Sequence, residues 1–532
     1  MEVCLVGYYL NPSNDRFNFS LCSEIYVDKS GIISYTNKIL NTEQRYVCIS
    51  RPRRFGKTMT ANMLTAYYSR GANSNDMFKS LAIAKETSFK KHLNKYNVIF
   101  LNIQEFLSNY NRIGLMTEKM SEKININILE EYPNFNFSYI DNLSDTMQAL
   151  YKLSGIRIIF IIDEWDCIFR EHRTNKQEQK FYLDFLRNLL KDKEYISLVY
   201  MTGILPIKKY GTHSALNMFS EFSMTDPDQL AEYVGFTKNE VINLCNKYKM
   251  DYEDMAQWYD GYSFADMESV YNPKSVVEAL LRRRFKNYWT KTETFEALSI
   301  YFKINFSGLK DTIIKLLAGE KKRIDISNFT NDMVTFKTYE DVLTLLIHLG
   351  YLGYDLETQE VFIPNKEISN EFAVAIKDVG WEEIIVAIKT SNDLLNATWN
   401  EDTDVVAKAI EKAHNETSII KYNDENALSC ILSIAYYSAR EYYYIEREIP
   451  AGKGFVDLFF RPRKNHLDKP AMLIELKWDK SAQGAIKQIE DKKYSEILKD
   501  YKNNSLLVGI NYDKVSKKHD CIIKKFDDDK VN

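Results

Sequence analysis

Three groups of residues in this chain have the types and spacing to handle phosphate. The first is Gly56-Lys57-Thr58, preceded by Arg51-Pro-Arg-Arg54-Phe55. Backbone N–H groups at a helix start can face an anion, a lysine adds positive charge, and a threonine hydroxyl is a ligand for Mg2+. The second is Asp163-Glu164, a pair of acids closing an apolar run. The third is Asp457 with Glu475 and Lys477, two carboxylates and a lysine in a later segment.

Each group needs particular elements to position it. Val47 to Ile49 reads as a short buried strand, and Met59, Met63, Leu64 and Tyr67 then recur at helical spacing. Strand, loop, helix is the order a phosphate-binding loop requires. In G-x-x-x-x-G-K-[ST] the first glycine falls at Arg51, so the tripeptide alone reads equally well as a chance helix start. Ile158 to Ile162 is a buried strand ending in Asp163 and Glu164. An aspartate there can hold the magnesium shell, and the neighbouring glutamate can orient or polarise water. Solvated acids at a strand end are the plain alternative, but the two groups in one chain argue against it. Val98 to Ile103 and Ile196 to Gly203 read as further buried strands of a parallel sheet. On a doubly wound sheet Thr202 then lies at the same edge as the loop and Asp163, either as a γ-phosphate sensor or as a turn residue.

From Asp226-Pro227 the pattern turns helical, with aromatic turn signatures at Trp258-Tyr-Asp-Gly-Tyr262 and Val270-Tyr-Asn-Pro273. These read most simply as packing elements. A helix ending at Gly350, two short strands near Tyr351–Tyr354 and Glu360–Ile363, and a helix from about Asn365 suggest a winged-helix-like unit. Such a unit suits DNA contact or packing alike.

The last region begins near Trp381 with helices. Strands follow at Tyr442–Ile449, Gly454–Phe460 and Ala471–Lys477, and a last one at Ser505–Ile510. Glu475 and Lys477 share a strand face, and one hairpin suffices to return Asp457 beside them. Carboxylates there would hold Mg2+ for phosphodiester hydrolysis, and Lys477 would position the nucleophile or offset charge at phosphorus. Gln488 and Lys492, four apart on the next helix, can face one site. An Asp…Glu-x-Lys match is weak alone, but the apolar surroundings make a merely solvated lysine less natural.

The bulk numbers fit a multidomain globular chain. Its 532 residues exceed one core, 45% are hydrophobic and 27% charged, and the net charge of −4 excludes a uniformly basic nucleic-acid binder. Seven scattered cysteines without a C-x-x-C pair argue against a disulfide framework or zinc site. No apolar run approaches a membrane span, and the expectation is a cytoplasmic protein without membrane contact.

Arg51-Pro-Arg-Arg-Phe-Gly-Lys-Thr58, Asp163-Glu-Trp-Asp166, Thr202-Gly-Ile-Leu205 and Trp258-Tyr-Asp-Gly-Tyr262 together resemble the bacterial AAA-ATPase-like proteins fused to a PD-(D/E)XK nuclease domain. The likeness covers nearly the whole chain in motif order. In that family an arginine at the position of Arg51 is usual, Ser is commoner than Thr58, and Tyr is common where Trp165 stands. The resemblance implies ATP binding at Gly56, Lys57 and Thr58, and Mg2+ ligation with water activation at Asp163 and Glu164. It also implies a nuclease-like site of Asp457, Glu475 and Lys477 with Gln488 as accessory, and Glu425 as the nearest upstream helical acid. Arg53 and Arg54 are candidates for phosphate or neighbour contact, a lid, or packing. Arg54 and Phe55 are counted with the nucleotide-binding residues.

The expected fold is α/β. It comprises a P-loop parallel sheet over residues 1–225, a helical and winged-helix-like region over 226–380, and a restriction-endonuclease-like domain over 381–532. The expected function is an ATPase coupled to a Mg2+-dependent DNA nuclease, with ATP and DNA as partners and a homo-oligomer as an option. The competing expectation is a nucleotide-switched interaction protein that binds nucleic acid without cutting. A plain phosphotransferase is disfavoured.

Overall fold

The structure is a computed structural model that describes residues 7–138, 140–207, 216–264, 267–289, 294–304, 306–331, 333–416, 425–451, 454–491, 497–501 and 504–526. The chain divides into two compact units. The first comprises Met1–Lys291 with Arg323–Ser369, and the second Thr292–Lys322 with Asn370–Asn532.

The first unit is built on a five-stranded sheet of β1 (Tyr46–Ser50), β2 (Asn97–Asn102), β3 (Ile158–Asp163), β4 (Ile196–Gly203) and β5 (Ser220–Phe222), in the order β2-β3-β4-β1-β5. Every pairing is parallel. Strands buried on both faces carry near-continuous apolar runs, and β1, β3 and β4 are buried at every position. The apolar segments expected as strands therefore form the sheet, whereas β5, with two exposed positions in three, has no such run. The register sets Ile49 beside Thr202 and Thr202 beside Asp163, so the ends of β1, β4 and β3 share one edge.

Beyond the sheet, helices Lys238–Tyr248, Tyr252–Tyr259 and Pro273–Arg282 enclose a small core including Val241, Met255, Tyr259 and Leu280. The region is less purely helical than its pattern suggested. Tyr262–Phe264 and Met267–Tyr271 form an antiparallel pair with Phe236–Thr237 alongside. Strands of two to five residues are too short to establish a period of two. Helix Tyr339–His348, the antiparallel ribbon of Gly353–Asp355 and Glu360–Phe362, and helix Lys366–Val379 follow the helix, ribbon, helix order.

In the second unit, β6 (Tyr443–Ala451), β7 (Gly454–Pro462), β8 (Ala471–Trp478), β9 (Ser505–Asp513) and β10 (Lys518–Lys525) form a sheet in chain order. Only the β8–β9 pair is parallel, crossing over through helix Ala482–Asp491. Alternation along the strands supplies two cores. Leu458, Met472, Ile474 and Val508 pack with the helices of 382–435, while Ala471, Leu473 and Leu507 pack with Ile486 and Ile489. Glu475 and Lys477 continue the second of these faces.

Candidate nucleotide and nuclease sites

The loop after β1 turns at Gly56, whose φ of +94° suits glycine; a Cβ there meets nothing within 4 Å, so the constraint is conformational. Helix Lys57–Tyr68 begins at once. The buried Lys57 ammonium donates to the carbonyls of Arg51 (3.0 Å) and Pro52 (2.9 Å), and burial lowers its pKa. Thr58 is exposed, and its hydroxyl donates to Asp163 Oδ2 at 2.8 Å.

Arg51 turns inward from the loop. Its fully buried guanidinium donates through Nη1 to the carbonyls of Ser50, Phe222 and Ser223, each at 2.9 Å, and burial pushes its pKa down to about 10. The side chain thus ties β1 to the end of β5, a role glycine could not fill. Arg54 adopts φ +71° and is partly exposed. The Phe55 side chain is buried, edge-on to Tyr262 at 5.4 Å, so its backbone N–H is what it can offer an anion. The Tyr262 hydroxyl in turn donates to the Gly350 carbonyl at 2.6 Å. A Cβ on Gly350 would lie 2.7 Å from Pro52. The aromatic signature read as plain packing therefore roofs the phosphate-loop segment.

Asp163 is fully buried, and its pKa rises to about 6 through burial first and the Glu164 charge second. The Thr58 hydrogen bond and Lys57 oppose that rise. A buried carboxylate with a hydroxyl at 2.8 Å is a pair of hard oxygen donors whose negative charge a cation would stabilise, and the residues fit Mg2+. Glu164 has φ +54°, rare for a side chain of its size, and is ion-paired to Arg170 Nη2. Among the described residues the buried Thr202 hydroxyl has no hydrogen-bond partner.

In the second unit, β7 and β8 pair Leu458 with Ile474, and one further step of this register sets Asp457 opposite Glu475. Asp457 Oδ2 accepts from the Leu476 N–H at 2.7 Å. The buried Lys477 ammonium donates to Glu475 Oε1 and to the Leu476 carbonyl, both at 2.9 Å. Gln488 Nε2 also donates to Glu475 Oε1. Asp457, Glu475, Lys477 and Gln488 are thus gathered at one place. Among the described residues no group of three or more His, Cys, Asp or Glu side chains could hold a metal. Mg2+ takes one or two carboxylates plus water and phosphate oxygens, so two carboxylates still fit it. Lys492 lies outside the described residues, as does the side chain of Glu425 at the head of helix Glu425–Ala435.

Sequence reasoning missed three contributors. Asp166 accepts from Arg170 Nε (3.2 Å) and from the Leu205 N–H (2.9 Å); its i, i+4 spacing to Arg170 was the available signal. Gly203 has no Cβ, which would otherwise sit 2.6 Å from Asp166 Oδ1 and 2.7 Å from the Trp165 ring. Gly509 lies beside Glu475 in register, and a Cβ there would be 2.5 Å from the Ala482 carbonyl. Its absence lets helix Ala482–Asp491 approach closely enough to deliver Gln488.

Two segments of the chain match known families. Residues 19–212 match the family described as predicted AAA-ATPase, and residues 423–521 match the PD-(D/E)XK nuclease superfamily. The chain pairs an AAA-ATPase-like domain with a PD-(D/E)XK-superfamily domain, in an α/β fold overall. An uncharacterised protein from the vnfD 5' region of Azotobacter chroococcum mcd 1 is 22% identical over 277 residues, covering 51% of each chain. The chain therefore spans about half the length of this curated relative. Among solved structures, the ORC2 protein of Aeropyrum pernix aligns over 67% of this chain and 96% of its own, at 12% identity and TM-score 0.31. Cdc6p of Pyrobaculum aerophilum aligns over 69% and 97%, at 11% identity and TM-score 0.27. Among the described residues no helix is long and apolar enough to cross a membrane.

Proposed function

We propose that this protein binds and hydrolyses ATP and couples its nucleotide state to a Mg2+-dependent nuclease acting on DNA. The observation that carries the reading is the convergence of Asp457, Glu475, Lys477 and Gln488 in a chain that also joins Thr58 to Asp163. The domain assignment that goes with it is 1–225 for the ATPase, 226–380 for the helical and winged-helix-like region, and 381–532 for the nuclease.

On the ATPase side, Gly56 and the backbone of Arg54 and Phe55 cradle phosphate, and Lys57 leaves the loop carbonyls to meet it. Thr58 and Asp163 hold Mg2+, Glu164 polarises the attacking water, and the Thr202 hydroxyl meets the γ-phosphate or that water. On the nuclease side, Asp457 and Glu475 hold Mg2+, while Lys477 and Gln488 orient the water and the scissile phosphate. The chemistry Mg2+ would supply at these places is neutralisation of phosphate charge and a lowered pKa for the attacking water. The described cysteines are free thiols, which suits a cytoplasmic location.

The test is a DNA-cleavage assay with Mg2+, with and without ATP, on the wild type, Lys57→Ala and Lys477→Ala. ATP-modulated cutting that Lys477→Ala abolishes, with its ATP modulation lost in Lys57→Ala, is expected. Intact linear, circular and single-stranded DNA under every condition would sink the nuclease reading. The second reading, a nucleotide-switched protein that binds nucleic acid without cutting, draws on the engagement of Glu475 by both Lys477 and Gln488. DNA retention without cleavage would favour it.

A further inference from the structure

We propose that Arg170 is the positioning residue for Glu164, holding the water-polarising carboxylate at the end of a relay that starts at Leu205, just past β4, and passes through Asp166. The inference rests on the ATPase reading given above.

Arg170 lies in the short helix Cys167–Glu171 directly after the acidic motif. Its guanidinium reaches two carboxylates at once, with Nη2 on Glu164 Oε2 and Nε on Asp166 Oδ2 at 3.2 Å. Asp166 is itself fully buried and accepts from the Leu205 N–H at 2.9 Å, just past the end of β4. Glu164, Arg170, Asp166 and the segment just past β4 thus form one connected chain. Thr202 belongs to the same strand end, and its carbonyl accepts from the Trp165 N–H at 3.1 Å.

Two features separate positioning from plain structural pairing. Asp166 alone could neutralise Arg170, yet the second arm of the guanidinium is spent on Glu164, whose side chain retains 22% exposure against 0% for Asp166. The exposed end of the relay is the carboxylate with a chemical task. Second, the guanidinium side chain is only 8% exposed, and burying that charge is costly unless its pairing is good. A planar fork that grips two acids fixes direction as well as distance, which a lysine cannot do. Fixing the carboxylate of a water-polarising residue raises the rate of the chemical step without adding affinity for the nucleotide.

The experiment compares full-length wild type, Arg170→Gln, Arg170→Lys, Glu164→Gln and Glu164→Gln/Arg170→Gln for ATP affinity, KM and kcat. Arg170→Gln is expected to lower kcat about 30- to 100-fold while KM and ATP affinity stay within about threefold. Arg170→Lys should fall between it and the wild type. The double variant should turn over no more slowly than Glu164→Gln, because the arginine acts through the glutamate. An unchanged kcat, a loss carried wholly by ATP affinity, or an equal further loss in the Glu164→Gln background would overturn the proposal. If Arg170→Gln does not fold, Arg170→Lys decides: a kcat reduced about threefold or more supports the role, and a wild-type kcat removes it. Wild-type protein without Lys57-dependent ATP turnover would instead overturn the ATPase reading, and this inference with it.

Discussion

The Thr58 hydroxyl donates a 2.8 Å hydrogen bond to Asp163 across 105 residues of chain, joining the start of one helix to the end of a strand two places away in the sheet. Thr58→Ala removes one of two adjacent oxygen donors. We expect Mg·ATP affinity to fall about tenfold and Mg2+-free nucleotide binding to change little. Nucleotide titrations with Mg2+ and with a chelator check this, and equal losses in both would detach Thr58 from the metal.

Glu164→Gln keeps the size of the side chain and a partner for Arg170 while removing the charge. ATP binding should persist, and turnover should fall by about 100-fold or more. Turnover at the wild-type rate would take Glu164 out of the reaction.

Arg51→Gly would bring the loop into line with the common G-x-x-x-x-G-K-[ST] pattern, yet we expect it to destabilise the protein. Three buried carbonyls lose a charged donor, a cost of about 2–4 kcal/mol. Thermal unfolding of the full chain should show an earlier first transition, whereas an unchanged one would contradict the tether.

How much of this was legible beforehand follows from which interactions are local. The runs Ile158–Ile162 and Ile196–Met201 announce β3 and β4 because each residue is buried for its own sake. Lys57, Thr58 and Asp163 are legible because loop, strand end and side chain are fixed by neighbours in sequence. The inward turn of Arg51 is not, since two of its acceptors lie 171 and 172 residues away. Nor is the contact of Tyr262 with Gly350, 88 residues on, or the clearance at Gly509 for helix Ala482–Asp491. Glu475 and Lys477 reveal their shared face from spacing alone, but the partnership with Gln488 depends on that helix packing closely.

His414 Nδ1 and His519 Nε2 lie 2.8 Å apart in the second unit, both buried. Burial pushes His414 down to about 4; His519 falls to about 3 through burial first and His414 second. With folded values below the ordinary 6.5, the unfolded chain binds more protons, so the pair's contribution is present above pH 6.5 and lost as pH falls towards 4 and 3. Unfolding of the full chain should therefore shift to lower temperature across that window, and less steeply in His414→Phe/His519→Phe. Equal pH slopes in the two proteins would contradict the assignment.

The interposition of β4 between β1 and β3 makes the sheet a ruler. Adjacent strands stand about 4.8 Å apart, so two spacings separate the strand that launches the phosphate loop from the strand that carries Asp163. Thr202 stands at the middle graduation, in register with Ile49 on one side and Asp163 on the other. A slip of β4 by one residue would turn Thr202 to the opposite face and carry Gly203 away from Trp165 and Asp166. The alignment of β4 thus calibrates three parts of the candidate site at once, and a lesion far down that strand would be felt at the proposed phosphate loop.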